Sequence, residues 1–194
     1  YLAKMDLATK KITPITKSIP WNVADYDLSP DGTKMIFSTN EAGLSKVYML
    51  NTITNQYEAI KEIPQGSVGG FEWHENGEDI AYNYSTAASS SDIYVFNIKT
   101  KKTERWTESE LGGLVASQLN DAKLIKWKSF DGTEISGFYY KPAAKFTGKR
   151  PVIIVMHGGP EGQSTPGFQG RNNYYLNELG IALVYPNVRG STGY

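Results

Sequence analysis

The chain has 194 residues, enough for one large or two small domains with a sizeable core. Lys plus Arg and Asp plus Glu each number 20, no basic run occurs, and there is no cysteine. These counts argue against a nucleic-acid partner held through its phosphates and exclude disulfides, thiol catalysis and cysteine-ligated zinc. No segment approaches the roughly 18 apolar residues of a membrane span. The compartment is left open, with the cytoplasm favoured, and oligomeric state is not fixed by any feature.

Residues 1–107 repeat themselves. Asp27-Leu28-Ser29-Pro30-Asp31-Gly32 aligns with Glu72-Trp73-His74-Glu75-Asn76-Gly77 at an offset of 45, and Met5-Asp6-Leu7-Ala8-Thr9 aligns with Leu50-Asn51-Thr52-Ile53-Thr54 at the same offset. A repeat of this length built from several short strands is the pattern of a β-propeller blade, and the fixed offset favours it over a β-sandwich. Asp31-Gly32 and Asn76-Gly77 are hairpin turn pairs, expected as type I′, and Thr54-Asn55 and Thr100-Lys101 mark the second hairpin of each unit. Two and a half blades cannot close a ring of about 4–8. The chain, which begins at Tyr1, is therefore expected to be an internal piece of a longer protein.

Trp21, Trp73 and Trp106 lie at or beside strands and are expected to pack blade against blade. His74 is expected in a surface turn, and the stretch Ser85-Thr86-Ala87-Ala88-Ser89-Ser90-Ser91 as a mobile loop.

After Trp106 the repeat stops. Leu111-Gly112-Gly113-Leu114 marks the passage out of the blades, and Asp131-Gly132-Thr133 joins strands at 123–130 and 134–142 into a hairpin. Val152-Ile153-Ile154-Val155-Met156 is a short apolar run expected to be buried on both faces of a parallel sheet. Residues 172–179 place Tyr175, Leu176 and Leu179 on one helical face ahead of Gly180, and residues 181–185 form the next buried strand. Strand, helix, strand predicts a parallel crossover and an α/β unit starting near residue 123. Ligands of such sheets bind at the strand C-termini, so the His157 and Arg189 loops are expected to meet at one cleft.

His157-Gly158-Gly159-Pro160, Asn187-Val188-Arg189-Gly190-Ser191-Thr192-Gly193-Tyr194 and the Phe130-Asp131-Gly132-Thr133 hairpin together resemble the prolyl oligopeptidase family of serine peptidases, with the acylaminoacyl-peptidase and dipeptidyl-peptidase branches nearest. The resemblance covers nearly the whole chain. It implies β-propeller blades over residues 1–120, followed by the first part of an α/β-hydrolase domain over residues 121–194, truncated before the nucleophile. It implies hydrolysis of peptide bonds in short peptides by a Ser–Asp–His triad outside this chain, with no cofactor and no metal. The partner implied is a peptide substrate, not a nucleic acid or a membrane.

Two residues are implied as oxyanion-hole donors: Gly159 through its backbone N–H, as in the acylaminoacyl branch, and Tyr194 through its hydroxyl, as in the others. Ser191 lacks the glycine two residues before it that an elbow needs and is not expected to be a nucleophile; His157 is expected to shape its loop rather than act as the base. Arg189 is expected in a buried ion pair, with clamping of a substrate carboxylate as the other reading. Two alternatives stand beside the peptidase: an esterase or lipase on the same core, and a propeller binding module without chemistry.

Overall fold

The computed structural model describes residues 1–159 and 161–193. Strands β1 (Ala3–Met5) and β2 (Ile12–Pro14) form a two-stranded antiparallel ribbon. Strands β3 (Asn22–Leu28), β4 (Lys34–Glu41), β5 (Leu44–Asn51) and β6 (Tyr57–Ala59) form an antiparallel meander, and β7 (Ser67–Trp73), β8 (Asp79–Thr86), β9 (Ser89–Asn97) and β10 (Lys102–Arg105) form a second. The repeated sequence unit is thus one four-stranded propeller-type blade.

The local chemistry that closes each hairpin is repeated too. Gly32 N–H donates to Ser29 O at 2.8 Å and Gly77 N–H to His74 O at 3.0 Å, with φ of +69° and +68° at the glycines. Neither Asp31 nor Asn76 has positive φ, so these are not the type I′ turns expected from the sequence. They are type I turns extended by a left-handed glycine, the form compatible with Pro30, whose ring fixes φ near −65°. The outer hairpins use an Asx cap: the amides of Thr9, Thr54 and Thr100 donate to Asp6, Asn51 and Asn97 at 2.7, 3.0 and 2.8 Å. Lys10, Asn55 and Lys101 follow with φ near +58°.

The blades pack on one another through Ile36, Val47, Ile60 and Ile63 of the first and Val68, Phe71, Trp73, Ile80, Tyr82 and Phe96 of the second. Phe37, Tyr48 and Leu50 bury the first blade's other face against Leu2, Ile15 and Ile19. Burying each such side chain stabilises by roughly 1.5–3 kcal/mol, which makes this apolar contact the main cohesion between blades. Trp73 belongs to it as expected and Trp21 is half-buried, but Trp106 is 64% exposed and is not among the residues packed between the blades, although its amide still donates to Ile93 O of β9 at 2.8 Å. His74 is exposed in its turn. The serine-rich stretch is not a loop. Thr86 pairs with Ser89 across a two-residue turn, and Ser89-Ser90-Ser91 open β9. Pairing register with β8, set by the apolar residues downstream, overrides the loop-like composition.

A third four-stranded sheet follows, ordered β11 (Ala122–Lys128), β12 (Glu134–Tyr140), β14 (Ala182–Asn187), β13 (Val152–Ile154). β13 and β14 are parallel and the other pairs antiparallel. The crossover between them carries a 3-10 turn at Gly170–Asn172 and helix α1 (Asn173–Asn177). The helix is shorter than the sequence predicts. Gly180 at φ +64° turns the chain so that Ile181 N–H reaches Tyr175 O at 2.8 Å, and Arg150 donates to Gly180 O and Leu179 O at 2.8 and 3.0 Å. Of the three apolar residues only Leu176 is buried, while Tyr175 and Leu179 are 38% and 42% exposed, so one apolar side chain, with the buried Asn173 beside it, rather than a three-residue stripe anchors α1.

β13 departs further from expectation. Val152, Ile154 and Met156 are 51%, 65% and 56% exposed, because β13 is the sheet's edge strand and, among the described residues, no layer covers its outer face. Phe138, Tyr140, Leu176 and Leu183 pack with Ala87 of the second blade, and Leu44 of the first packs against them, so this sheet is docked on both blades. Among the described residues no helix is long and apolar enough to cross a membrane.

Candidate active-site cleft

Two loops leave the same end of the parallel pair. One follows β13 and runs from His157 to Gln163; the other follows β14 and runs from Val188 to Gly193. They meet as the sequence predicts. His157 Nε2 lies 2.8 Å from Ser191 Oγ, and Thr192 N–H donates to Gly162 O at 3.1 Å. His157 Nδ1 lies 3.1 Å from Gly158 O, which can only accept, so Nδ1 is the donor there and Nε2 is the ring nitrogen that faces the Ser191 hydroxyl. The contact has the spacing of a nucleophile–base pair. No carboxylate orients the ring among the described residues, however, and Ser191 sits in a turn closed by its own N–H to Val188 O at 3.0 Å. In this geometry the pair clips one loop to the other.

The glycines of the first loop are required by shape. Gly159 has φ +139°, and a Cβ there would lie 2.7 Å from Gly162 N and 2.9 Å from Glu161 N. A Cβ on Gly162 would lie 2.4 Å from Gly158 O. The loop therefore folds back on its own backbone, which no L side chain permits. Gly159 is exposed, and its amide donates to no partner among the described residues. Tyr194, the other implied donor, lies outside the described residues, as does Pro160.

The second loop is fixed from both sides. Asn187, 2% exposed, accepts from Ser164 N–H at 2.7 Å and donates to Ser164 O at 3.0 Å. Arg189 pairs with Asp131 and lies 4.6 Å from the centroid of the Phe130 ring. The Thr133 amide, and the Arg189 charge behind it, hold the Asp131 carboxyl below the usual carboxylate range. This ion pair is not buried, as the sequence suggested, but 44% and 40% exposed, because hairpin β11–β12 carries its tip into solvent and leaves Phe130 92% exposed. Beneath the loops, Tyr140 OH bridges to Gly167 and Tyr185 OH donates to Gln169 at 2.6 Å. Burial pushes both phenols above their ordinary value, so both stay neutral donors.

A cavity of about 660 Å³ opens elsewhere, between residues 110–118 and α1, with Leu114, Phe168, Arg171 and Tyr174 on its walls. It takes no part in the loop contacts. No cluster of His, Asp and Glu able to hold a metal occurs among the described residues.

Comparison with known proteins places this arrangement. No protein-family profile matches the chain. A prolyl endopeptidase of Elizabethkingia meningoseptica is 27% identical over 137 residues, covering 70% of this chain and 19% of that protein. Dipeptidyl-peptidase 5 of Aspergillus fumigatus is 25% identical over 203 residues, covering 92% of this chain and 26% of its own length. The solved acylaminoacyl peptidase of Pyrococcus horikoshii superposes with a TM-score of 0.70 at 26% identity, over 95% of this chain and 28% of that one. The chain is a relative of the prolyl oligopeptidase family. It spans about a quarter or less of the length of these relatives. A solved prolyl endopeptidase at 16% identity and a TM-score of 0.80 shares the fold over 97% of this chain. The similarity to these peptidases agrees with the resemblance carried by the two glycine-rich loops.

Asn40 and Gln163 were not singled out by sequence reasoning. Each is an isolated amide in an ordinary context, and its significance rests on a contact between residues 123 apart in the chain.

Proposed function

We propose that this chain is part of a serine peptidase of the prolyl oligopeptidase family, with propeller blades over residues 1–120 and the first part of an α/β-hydrolase domain over residues 121–194. In this reading the substrate is a short peptide, and the triad Ser, Asp and His lie outside the 194 residues. The chain contributes oxyanion stabilisation. In the tetrahedral intermediate the former carbonyl oxygen carries negative charge, and a donor fixed about 2.7–3.1 Å away stabilises it by roughly 3 kcal/mol. The Gly159 amide is one such donor and the Tyr194 hydroxyl the other.

The observation that carries this reading is the convergence of the two glycine-rich loops at the C-terminal ends of β13 and β14, clipped by His157 and Ser191 at 2.8 Å. The named relatives, all peptidases, support the same chemistry. The test uses the protein encoded by the complete reading frame. It is expected to react with a fluorophosphonate probe and to cleave a small peptide anilide. Hydrolysis of short esters alone would favour the esterase, and neither labelling nor hydrolysis would leave a binding module.

A further inference from the structure

The two loops are tied to the first blade at one point. Asn40, at the end of β4, donates from Nδ2 to Gln163 Oε1 at 2.6 Å. The Asn40 amide cannot turn over freely, because its Oδ1 accepts the Gly43 amide at 2.9 Å. Gln163 in turn lies directly under Gly193: a Cβ on Gly193, which has φ +81°, would come within 2.4 Å of Gln163 Nε2 and 2.8 Å of Asn40 Nδ2. The flanking residues belong to the same support, since Gly162 O receives Thr192 N–H and Ser164 is held by Asn187. The blade touches this support again at Gly43, where a Cβ would lie 2.8 Å from the Phe138 ring and 3.1 Å from Ser164 O.

Among the described residues, Gln163 Nε2 is itself buried with no partner. A buried amide leaving its donors unpaired is costly and needs a reason. Here the reason is steric. Oε1 is committed to the blade, and Nε2 fills the space that the bare Gly193 backbone leaves.

We infer that Gln163 is a positioning residue, a latch through which the first blade holds the Gly190–Gly193 loop in place beside Gly159. The inference deepens the peptidase reading, on which the purpose of the loop rests, but the mechanical link is independent of it.

The test is hydrogen exchange of the Ser191 and Thr192 amides, read on the chain without substrate in wild type, Asn40→Ala, Gln163→Ala and the double variant. Each single change is expected to speed exchange about fivefold, the ratio that one neutral hydrogen bond carries. The double variant is expected to match the singles, and blade-core amides such as Ile80 to stay unchanged. Asn40→Asp keeps the Gly43 cap and offers an acceptor to Gln163 Nε2 once the glutamine amide turns over, so it is expected to restore wild-type exchange. Unchanged exchange in Gln163→Ala, additive effects in the double variant, or Asn40→Asp as loose as Asn40→Ala would overturn the latch. In the complete protein Gln163→Ala is expected to lower kcat several-fold with KM within twofold of wild type. If the protein proves not to hydrolyse peptides, the exchange result still decides the latch.

Discussion

Asp27 of β3 accepts the Trp73 amide of β7 at 2.9 Å, and the Asp27 carbonyl accepts the same residue's indole N–H at 3.3 Å. Two residues earlier, Asp25 accepts the amides of Gly70 and Phe71 at 2.6 and 3.4 Å. β3 and β7 are edge strands of adjacent blades and do not pair with each other. Their edges would otherwise present open donors, so one strand supplies carboxylates to cap the other. Removing Asp27 leaves a half-buried amide without its charged acceptor. Asp27→Ala is expected to lower stability by about 1–2 kcal/mol, read as a lower urea midpoint at unchanged slope. Asp27→Asn, which keeps an acceptor, is expected to lose less. Equal losses for both would show that charge rather than the hydrogen bond holds the blades there.

Glycine substitutions separate backbone strain from crowding. Gly32 and Gly43 both have positive φ, +69° and +90°, but a Cβ on Gly32 meets nothing within 4 Å, whereas one on Gly43 runs into Phe138 and Ser164. Gly32→Ala is expected to cost about 1 kcal/mol, the strain of a left-handed L residue. Gly43→Ala adds overpacking at the joint between blade and third sheet, roughly 1–3 kcal/mol more. Thermal unfolding of the two variants side by side measures the difference, and equal midpoints would refute the tight joint.

Acid should weaken the inner turn of the first blade before the rest. Hydrogen bonds from Ser29 and from the Thr33 amide and hydroxyl lower the Asp31 carboxyl from 3.8 to about 2. A carboxyl depressed in the folded state stabilises fully above its unfolded value near 3.8 and loses that contribution as pH falls towards 2. Asp92 adds to the same slope. Burial alone would raise it, but the Ser109 amide, Arg105 and the Thr107 hydroxyl outweigh burial and hold it low. The urea midpoint is expected to drop between pH 4 and 2, and Asp31→Asn to flatten that drop in part. An unchanged pH profile in Asp31→Asn would contradict the assignment.

How much of this was written in the sequence depends on range. Asp31-Gly32, Asn76-Gly77 and the turns at Thr54-Asn55 and Thr100-Lys101 announced the blades, because turn chemistry is local and the offset between repeats is fixed. The turn type was missed because both turns are centred one residue earlier, on Pro30-Asp31 and Glu75-Asn76, with the glycine following in the left-handed region. Val152–Met156 carried the composition of a doubly buried strand, yet burial depends on which strands and layers flank it, and β13 lies at an edge. The loop meeting at His157 and Ser191 followed from strand order. The Asn40–Gln163 contact did not, since nothing in either amide's surroundings marks a partner so far along the chain.

Arg189 offers a choice between holding the loop and binding substrate. Its guanidinium is engaged by Asp131 and stacked over Phe130. If it holds the loop, Arg189→Ala and Asp131→Ala in the complete protein are expected to lower kcat by similar factors, with the double variant no worse than either. Because the pair is exposed and screened by solvent, it is expected to add little to stability. A rise in KM for Arg189→Ala alone, greatest for peptides with a free carboxylate nearby, would instead identify a substrate clamp.

The His157–Ser191 contact supplies the last prediction. At 2.8 Å a serine hydroxyl and an imidazole form the front half of a hydrolytic machine. What separates a clip from a nucleophile is the remaining support. His157 Nδ1 faces the carbonyl of its own neighbour Gly158, a neutral and weak orienting group, where a triad places a carboxylate. Ser191 lies in a turn without the strand-to-helix elbow that exposes a nucleophile. The 194-residue chain is therefore expected to resist a fluorophosphonate probe. Ser191→Ala in the complete protein is expected to keep the probe-reactive serine while loosening the loop, with kcat reduced by less than about tenfold, the upper range for one lost neutral hydrogen bond. Stoichiometric labelling at Ser191, found by peptide mass mapping, would turn the clip into the active dyad and move the reaction centre into this chain.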